Sequence, residues 1–263
     1  MLKIEHEAGF FSCCSIRLQT IINYHNEHKK CPDIIDSKNL FSWYKNNIEG
    51  DITFDYFEHY VSYPLTIEYI SHNYYYEGLQ FSNYKNLKFE TITPFIKKYF
   101  TLSPKIQEII KDIELKYNIH GNGNDYSNLC VLFYRGNDKA SETSLCSYEE
   151  YIVKAREIQN SNPNIQFLIQ SDETEFIEKM LKEFPLSLYF KDETRSINKD
   201  STSTVDWKLN HLNYQFSKYF LAIIVIMSKC QYVVCGSGNC SIWITFYREN
   251  SDNIFQNLNG TWL

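Results

Sequence analysis

The sequence predicts an α/β fold with parallel, doubly wound sheets, divided into two Rossmann-like halves. Three observations lead there. From about residue 128 onward, short apolar β-forming runs alternate with helical segments, the pattern of a parallel sheet with crossover helices. The chain opens with a similar strand, turn and helix. Between the two stretches lies a polar, glycine-containing loop, Ile119-His120-Gly121-Asn122-Gly123-Asn124-Asp125, which marks a junction between residues 1–120 and 121–263.

The elements follow in order. Leu2 to His6 reads as a strand, Gly9 as a turn, and the apolar stripe from Ile16 to Tyr24 as a helix. Ser103-Pro104 is a cap-then-proline signal that opens a helix from Lys105 to Tyr117. Asn128 to Tyr134 is a buried parallel strand ending at Arg135-Gly136. A helix from Tyr148 to Gln159 is stopped by Asn160-Ser161-Asn162-Pro163. The strand Ile165 to Gln170 leads to Ser171-Asp172, read as a capping pair for a helix that runs through Phe184. After Pro185 comes a strand, Leu186 to Phe190, and then a polar surface loop, Lys191 to Thr204. A long helix from Asp206 to Lys229 precedes the strand Gln231 to Cys235, which breaks at Gly236-Ser237-Gly238.

Composition narrows the function. With 263 residues, 43% of them hydrophobic and 22% charged, the chain has the balance of a globular protein with a buried core. A formal charge of −6 offers no basic face to neutralise a phosphate backbone, which sets nucleic-acid binding aside. The eight cysteines lack metal spacing: Cys13-Cys14 are adjacent, Cys235 and Cys240 are five apart, and there is no CxxC pair. Glu5 and Glu7 fall where a secretory leader would be apolar, so the expectation is a cytoplasmic protein with reduced thiols. The longest apolar run, Tyr219 to Met227, is far short of the roughly 20 residues that span a bilayer and reads as a buried helix. Asn259-Gly260-Thr261 matches a glycosylation sequon that has no role outside the secretory pathway.

Three segments sit at strand ends, where ligands of such folds bind. Arg135-Gly136-Asn137-Asp138-Lys139-Ala140-Ser141-Glu142 gathers a guanidinium, an ammonium and two carboxylates behind a hydrophobic strand. An arginine holds phosphate through two parallel charge-assisted hydrogen bonds, and a glycine lets a ligand approach the backbone. The same residues also suit a solvated turn with internal ion pairs. Asp172 either caps a helix or accepts hydrogen bonds from a base or sugar. The third segment, Cys235-Gly236-Ser237-Gly238-Asn239-Cys240-Ser241, is a glycine-rich turn whose free N–H groups can meet phosphate, or a small-residue packing device. It lacks the GxxxxGKS spacing of an ATPase loop.

Taken in order, these segments resemble a known family. Tyr134-Arg135-Gly136-Asn137-Asp138-Lys139, followed by Glu142 and by Tyr148-Glu149-Glu150-Tyr151, is similar to the H-x-R-R-x-D-K segment of the α1,6-fucosyltransferases. That family includes the nodulation fucosyltransferases and, more broadly, the protein O-fucosyltransferases. Ile169-Gln170-Ser171-Asp172-Glu173 falls where the family has a strand ending in T-D-D. Cys230 to Cys240 falls where it has a C-x-F-S-S-Q-like turn. The resemblance covers roughly Leu129 to Thr245, with looser agreement from Gly9 to Tyr24. Phe133 stands at the family's His, Gly136 at its second Arg, and Asn239-Cys240 at its Ser-Gln pair.

The resemblance implies a GT-B architecture, two facing Rossmann-like domains with the donor on the C-terminal one and the acceptor entering the cleft from the other. It implies inverting transfer of fucose from GDP-fucose to a glycan hydroxyl, with no cofactor and no obligatory metal. Arg135 would neutralise the leaving diphosphate, helped by backbone N–H groups of Gly238 and Asn239. Asp138, Lys139, Asp172, Ser237 and Cys240 complete the expected donor site. Glu142 is the expected general base. His6, Gly9, Phe10 and Phe11 would line the acceptor side, although a histidine such as His6 is by itself more often structural. Two alternatives stay open: the same fold with another nucleotide-sugar donor, and an inactive protein that binds a glycan or a partner.

Overall fold

In the computed structural model of the chain, the described residues are 1–46, 50–60, 65, 78–119, 125–200 and 202–263. The N-terminal part begins with strand β1 (Leu2–Glu5), helix α1 (Phe10–His28) and strand β2 (Ile35–Asn39). β1 and β2 pair in parallel, Leu2 opposite Ile35, so these elements form a β-α-β unit. Helix α1 starts earlier than its central stripe predicts because Phe10, Phe11, Cys13 and Cys14 bury as well. It ends where Lys29 turns left-handed, φ 54°, and returns its N–H to the His25 carbonyl. Helices α2 (Thr53–Tyr56), α3 (Phe89–Tyr99) and α4 (Pro104–Lys116) follow. The predicted cap of α4 forms: Ser103 Oγ accepts from the Ile106 N–H, and Pro104 fills the first helical position. The expected junction, 119–125, lies mostly outside the described residues.

The C-terminal part runs β3 (Leu129–Tyr134), α5 (Tyr148–Ser161), β4 (Gln166–Ser171), α6 (Thr174–Glu183), β5 (Leu188–Tyr189), α7 (Val205–Lys208) and α8 (Asn213–Lys229). It closes with β6 (Tyr232–Gly236), α9 (Asn239–Arg248), β7 (Ile254–Leu258) and β8 (Thr261–Trp262). These strands form one six-stranded sheet in the order β5-β4-β3-β6-β7-β8, parallel throughout except at β7–β8. The α/β class and the parallel sheet are therefore as the alternating pattern predicts. From β3 the chain order runs outward through β4 and β5 on one side and through β6 and β7 on the other. The β3–β6 boundary is thus the topological switch point, where the crossovers diverge and leave a crevice at the carboxyl ends.

All six residues of β3 are buried, and they alternate between two apolar clusters, Leu129, Val131 and Phe133 on one face and Cys130, Leu132 and Tyr134 on the other. The first cluster is continuous with the N-terminal helices, so α1, α3 and α4 share a core with α8 and α9. Trp243 on α9, fully buried, donates its indole N–H to Ser15 Oγ on α1 at 3.0 Å. Arg17 is also fully buried, with Nη1 on the Tyr99 carbonyl at 3.0 Å and its guanidinium 5.0 Å from the Phe100 ring centroid. The apolar run Tyr219 to Met227 lies in α8, as predicted, and among the described residues no helix is long and apolar enough to cross a membrane.

Three sequence expectations change. The helix predicted from Asp206 to Lys229 is interrupted: Leu209 sits at φ −120°, ψ 38°, and Asn210–Leu212 form a 3₁₀ turn. Side chains compete for the backbone there, with Arg195 Nη1 on the Leu209 carbonyl and Asn213 Nδ2 on the Asp206 carbonyl. Ser171-Asp172 is not a capping pair, because Glu173 occupies the cap position and Asp172 turns its carboxylate toward Arg135. The polar stretch 191–204 is not wholly at the surface. Glu193 and Thr194 are buried, and Ile197 exchanges backbone hydrogen bonds with Asp172 and Thr174, folding the loop over the end of β4.

Candidate functional site

The carboxyl ends of β3, β4 and β6 deliver Arg135-Gly136, Asp172-Glu173 and Ser237-Gly238 to one side of the sheet. The loop after β5 and helix α7 close over the β3 and β4 ends, leaving a cavity of about 50 Å³. Phe133, Arg135, Gln170 and Asp172 line it from the sheet, and Glu193, Arg195 and Asp206 from the covering loop and helix.

Arg135 is held from both sides of the switch point. Its Nε donates to Asp172 Oδ2 at 2.8 Å and its Nη1 to Cys240 Sγ at 3.1 Å, while Nη2 lies 3.6 Å from Asp138 Oδ1. Burial works against its charge, but Asp172, Cys240, Asp138 and Asp206 outweigh that and hold its pKa well above the ordinary range. Asp172 also accepts the Gly136 N–H at 3.0 Å, so strand ends β3 and β4 are cross-braced by one carboxylate. Asp138 Oδ1 is buried with no hydrogen-bond partner, since 3.6 Å exceeds that reach. Asp138 Oδ2 pairs with Lys139 at 3.0 Å, and Lys139 in turn reaches Glu142 at 2.5 Å. Glu142 therefore sits at the outer end of a line of charges and does not line the cavity.

Gly136 explains its own presence. A Cβ there would fall 2.0 Å from Glu173 Oε1, inside the carboxylate. Glu173, 1% exposed, accepts the Asn137 N–H at 2.7 Å and the Tyr148 hydroxyl. The position that carries a second arginine in the family resembled above has no room for any side chain in this chain.

A second guanidinium comes from elsewhere. Arg195 donates from Nη2 to Asp206 Oδ1 at 2.6 Å and from Nη1 to Asn213 Oδ1 at 2.7 Å, and it stacks 5.1 Å from the Phe216 ring centroid. Asp206 Oδ2 accepts the Tyr44 hydroxyl at 2.9 Å, and that hydroxyl accepts the Phe10 N–H at 2.7 Å. Glu193 is held by Lys116 and Tyr117, each at 2.6 Å.

Of the residues expected on the acceptor side, Gly9 lies beside a lining carboxylate, where a Cβ on it would be 4.0 Å from Asp206 Oδ2, and Phe11 packs 5.4 Å from the lining ring of Phe220. Phe10 and Phe11 turn inward, Phe10 packing against Phe41, Tyr44 and Tyr56 and Phe11 against Trp243, because the first turn of α1 puts its apolar face on the core. His6 bonds Ser12 Oγ at 2.9 Å, and partial burial lowers its pKa. At the turn into α9, Ser237 Oγ donates to the Asn257 carbonyl, Asn239 Oδ1 accepts from Ser15 Oγ at 2.7 Å, and the Gly238 N–H, at φ 151°, points to the Tyr84 hydroxyl at 3.2 Å. Cys240 faces the site through Arg135.

Sequence reasoning passed over Tyr44, Glu193, Arg195 and Asp206. For Glu193 and Arg195 the available signal was position: 191–204 follows a predicted strand and so belongs with the strand-end segments. Among the described residues no cluster of His, Cys, Asp and Glu is arranged to hold a metal ion.

No protein-family model matches the chain, and no curated protein sequence matches it. A solved structure similar to it is that of the NodZ α-1,6-fucosyltransferase soaked with GDP-fucose, at 10% identity and a TM-score of 0.41. The likeness covers 67% of this chain and 53% of that one, so this chain matches about half the length of that structure.

Proposed function

We propose that the chain is a glycosyltransferase that takes a sugar from a nucleoside-diphosphate donor and passes it to a glycan hydroxyl. One observation carries this reading: two guanidiniums, Arg135 and Arg195, line a single cavity at the carboxyl ends of β3 and β4, beside the switch point of a parallel sheet. The ordered resemblance of the Arg135, Asp172 and Cys235 segments to the fucosyltransferases supports it.

The reaction proposed is a single displacement. The acceptor oxygen bonds to the anomeric carbon, the bond from that carbon to the phosphate oxygen breaks, and its electron pair leaves with the diphosphate. The configuration inverts. Arg135 stabilises the charge that develops on the leaving group, as two fixed guanidiniums can do without a divalent ion. The acceptor proton goes to a carboxylate as the new bond forms. We assign that role to Asp206, which lines the cavity on the side of Gly9, in place of Glu142, which is paired with Lys139 outside the lining.

GDP-fucose is the first donor to test. Phe133 and Gly136, at the family's His and second Arg, favour including other nucleotide sugars. The experiment is thermal unfolding of the protein with a panel of nucleoside diphosphates and their sugars, with and without magnesium or manganese, because a ligand of the folded state raises the transition temperature. Stabilisation by GDP and GDP-fucose that needs no metal and vanishes in Arg135→Ala supports the fucosyl reading. Selective stabilisation by a different nucleotide keeps the transferase and replaces the donor. No response to any nucleotide overturns the proposal.

A further inference from the structure

We propose that Arg195 is the second diphosphate-binding guanidinium of this site, and that Asp206 occupies its anion position until the donor displaces it. The inference rests on the glycosyltransferase reading and names how that site takes its ligand.

Three observations lead to it. First, Asp206 is paired with Arg195 and lines the same cavity as Arg135. It is hydrogen-bonded to Arg195 at 2.6 Å, and its charge also acts on Arg135, raising that pKa after the larger effects of burial, Asp172, Cys240 and Asp138. A carboxylate within the field of two guanidiniums stands where an oxyanion of a ligand is best stabilised. Second, the segment after β3 has no means of supplying another cation at Gly136, where Glu173 Oε1 would lie 2.0 Å from a Cβ. Third, Arg195 is oriented without the Asp206 carboxylate. Its Nη1 is fixed by Asn213 and the Leu209 carbonyl, and its plane rests on Phe216, so the Nη2 edge that Asp206 now covers stays aimed when that carboxylate leaves.

Charge balance identifies the group that moves. The cavity is lined by two arginines and three carboxylates, Asp172, Glu193 and Asp206. A diphosphate adds at least two more negative charges, and like-charge repulsion favours withdrawal of a lining carboxylate. Asp172 is locked by Arg135 and the Gly136 N–H, and Glu193 by Lys116 and Tyr117. Displacing Asp206 is the step that clears a guanidinium edge, and the Tyr44 hydroxyl keeps Oδ2 tethered as it turns. Donor binding thereby frees the carboxylate assigned as acceptor base, which makes binding ordered, donor first.

The test is calorimetric titration of GDP and of inorganic pyrophosphate into wild type, Arg135→Gln, Arg195→Gln and Asp206→Asn, each checked for native circular dichroism. Arg195→Gln is expected to weaken both ligands by about tenfold or more, as loss of one charge-assisted pair does. Asp206→Asn is expected to tighten both several-fold by removing the competing anion. Arg195→Gln binding as wild type does, with Arg135→Gln impaired, overturns this inference and leaves the transferase reading standing. Wild type binding neither ligand overturns this inference, and the transferase reading falls with it if no other nucleoside diphosphate binds either. If Arg195→Gln does not fold, Asp206→Asn decides: unchanged or weaker affinity overturns the inference.

Discussion

The Tyr44 hydroxyl donates to Asp206 Oδ2 at 2.9 Å across 162 positions of sequence, and accepts the Phe10 N–H from the first turn of α1. Burial, followed by the charge of Asp206, keeps the Tyr44 pKa far above its ordinary value, so the hydroxyl stays protonated and remains a donor. The N-terminal elements thereby set the orientation of a carboxylate in a cavity built mainly by the C-terminal sheet. Tyr44→Phe leaves the Phe10 N–H without this acceptor and Asp206 without this donor. It should cost about 1–3 kcal/mol in urea unfolding. With a working donor, kcat should fall more than KM changes, because the variant loosens the base and leaves both arginines in place.

Gly136→Ala should be among the more damaging single-methyl additions in the chain. The added carbon meets a buried carboxylate that Asn137 and Tyr148 hold from two sides, so relief requires breaking those hydrogen bonds or moving the strand end. A loss of about 2–4 kcal/mol is expected by chemical denaturation. Gly136→Ala combined with Glu173→Ala should recover part of it. Equal stability of the single variant and wild type would show that the strand end yields freely.

The two candidate bases, Glu142 and Asp206, separate kinetically. Glu142→Gln breaks only the exposed contact with Lys139, and turnover should stay within about twofold, since surface pairs of this kind contribute little. Asp206→Asn should lower kcat by about 10²–10⁴, the usual worth of general base catalysis, even as diphosphate affinity rises. The reverse order would return the role to Glu142.

Alkaline pH should act on this protein in two opposed ways. Burial lowers the Lys218 pKa from 10.5 to about 8, against the pull of Asp55. Below pH 8 both folded and unfolded chains are protonated and the cost of burying the charge is fully present. Above 8 the folded lysine sheds its proton while the unfolded one keeps it up to 10.5, so this group's contribution to stability rises through that window. Buried thiols run the other way. Cys13 is pushed up to about 11, and Cys230 and Cys235 to about 12, all by burial, so the stability they confer below pH 9.0 is lost as pH climbs past it. Lys218→Met should therefore be more stable than wild type by about 1–3 kcal/mol at pH 7, with the advantage shrinking between pH 8 and 9. A difference that does not vary with pH would show that Lys218 keeps an ordinary pKa.

The strands and helices of the C-terminal half, and helix α4 before it, were legible because their signals are local. An apolar run such as Leu129 to Tyr134 buries both faces wherever it lands, and Ser103-Pro104 or Asn160 to Pro163 starts or stops a helix through its own backbone chemistry. Short or weakly apolar elements such as β2, β7 and β8 carry no such signal and exist because a neighbouring strand supplies their hydrogen bonds. Arg135 and Asp172 were likewise legible as strand-end residues.

What the tertiary structure alone decided is the role of each charge. Asp172 turned from helix cap to counterion of Arg135, the 191–204 loop turned from surface to cavity wall, and Gly136 proved to be required by Glu173, 37 positions on. Arg195, Asp206 and Tyr44 converge from three separate segments. Burial of apolar groups is set by a pattern a few residues long, whereas a guanidinium or carboxylate takes its function from whichever opposite charge reaches it within about 3 Å, a distance that spacing along the chain does not encode.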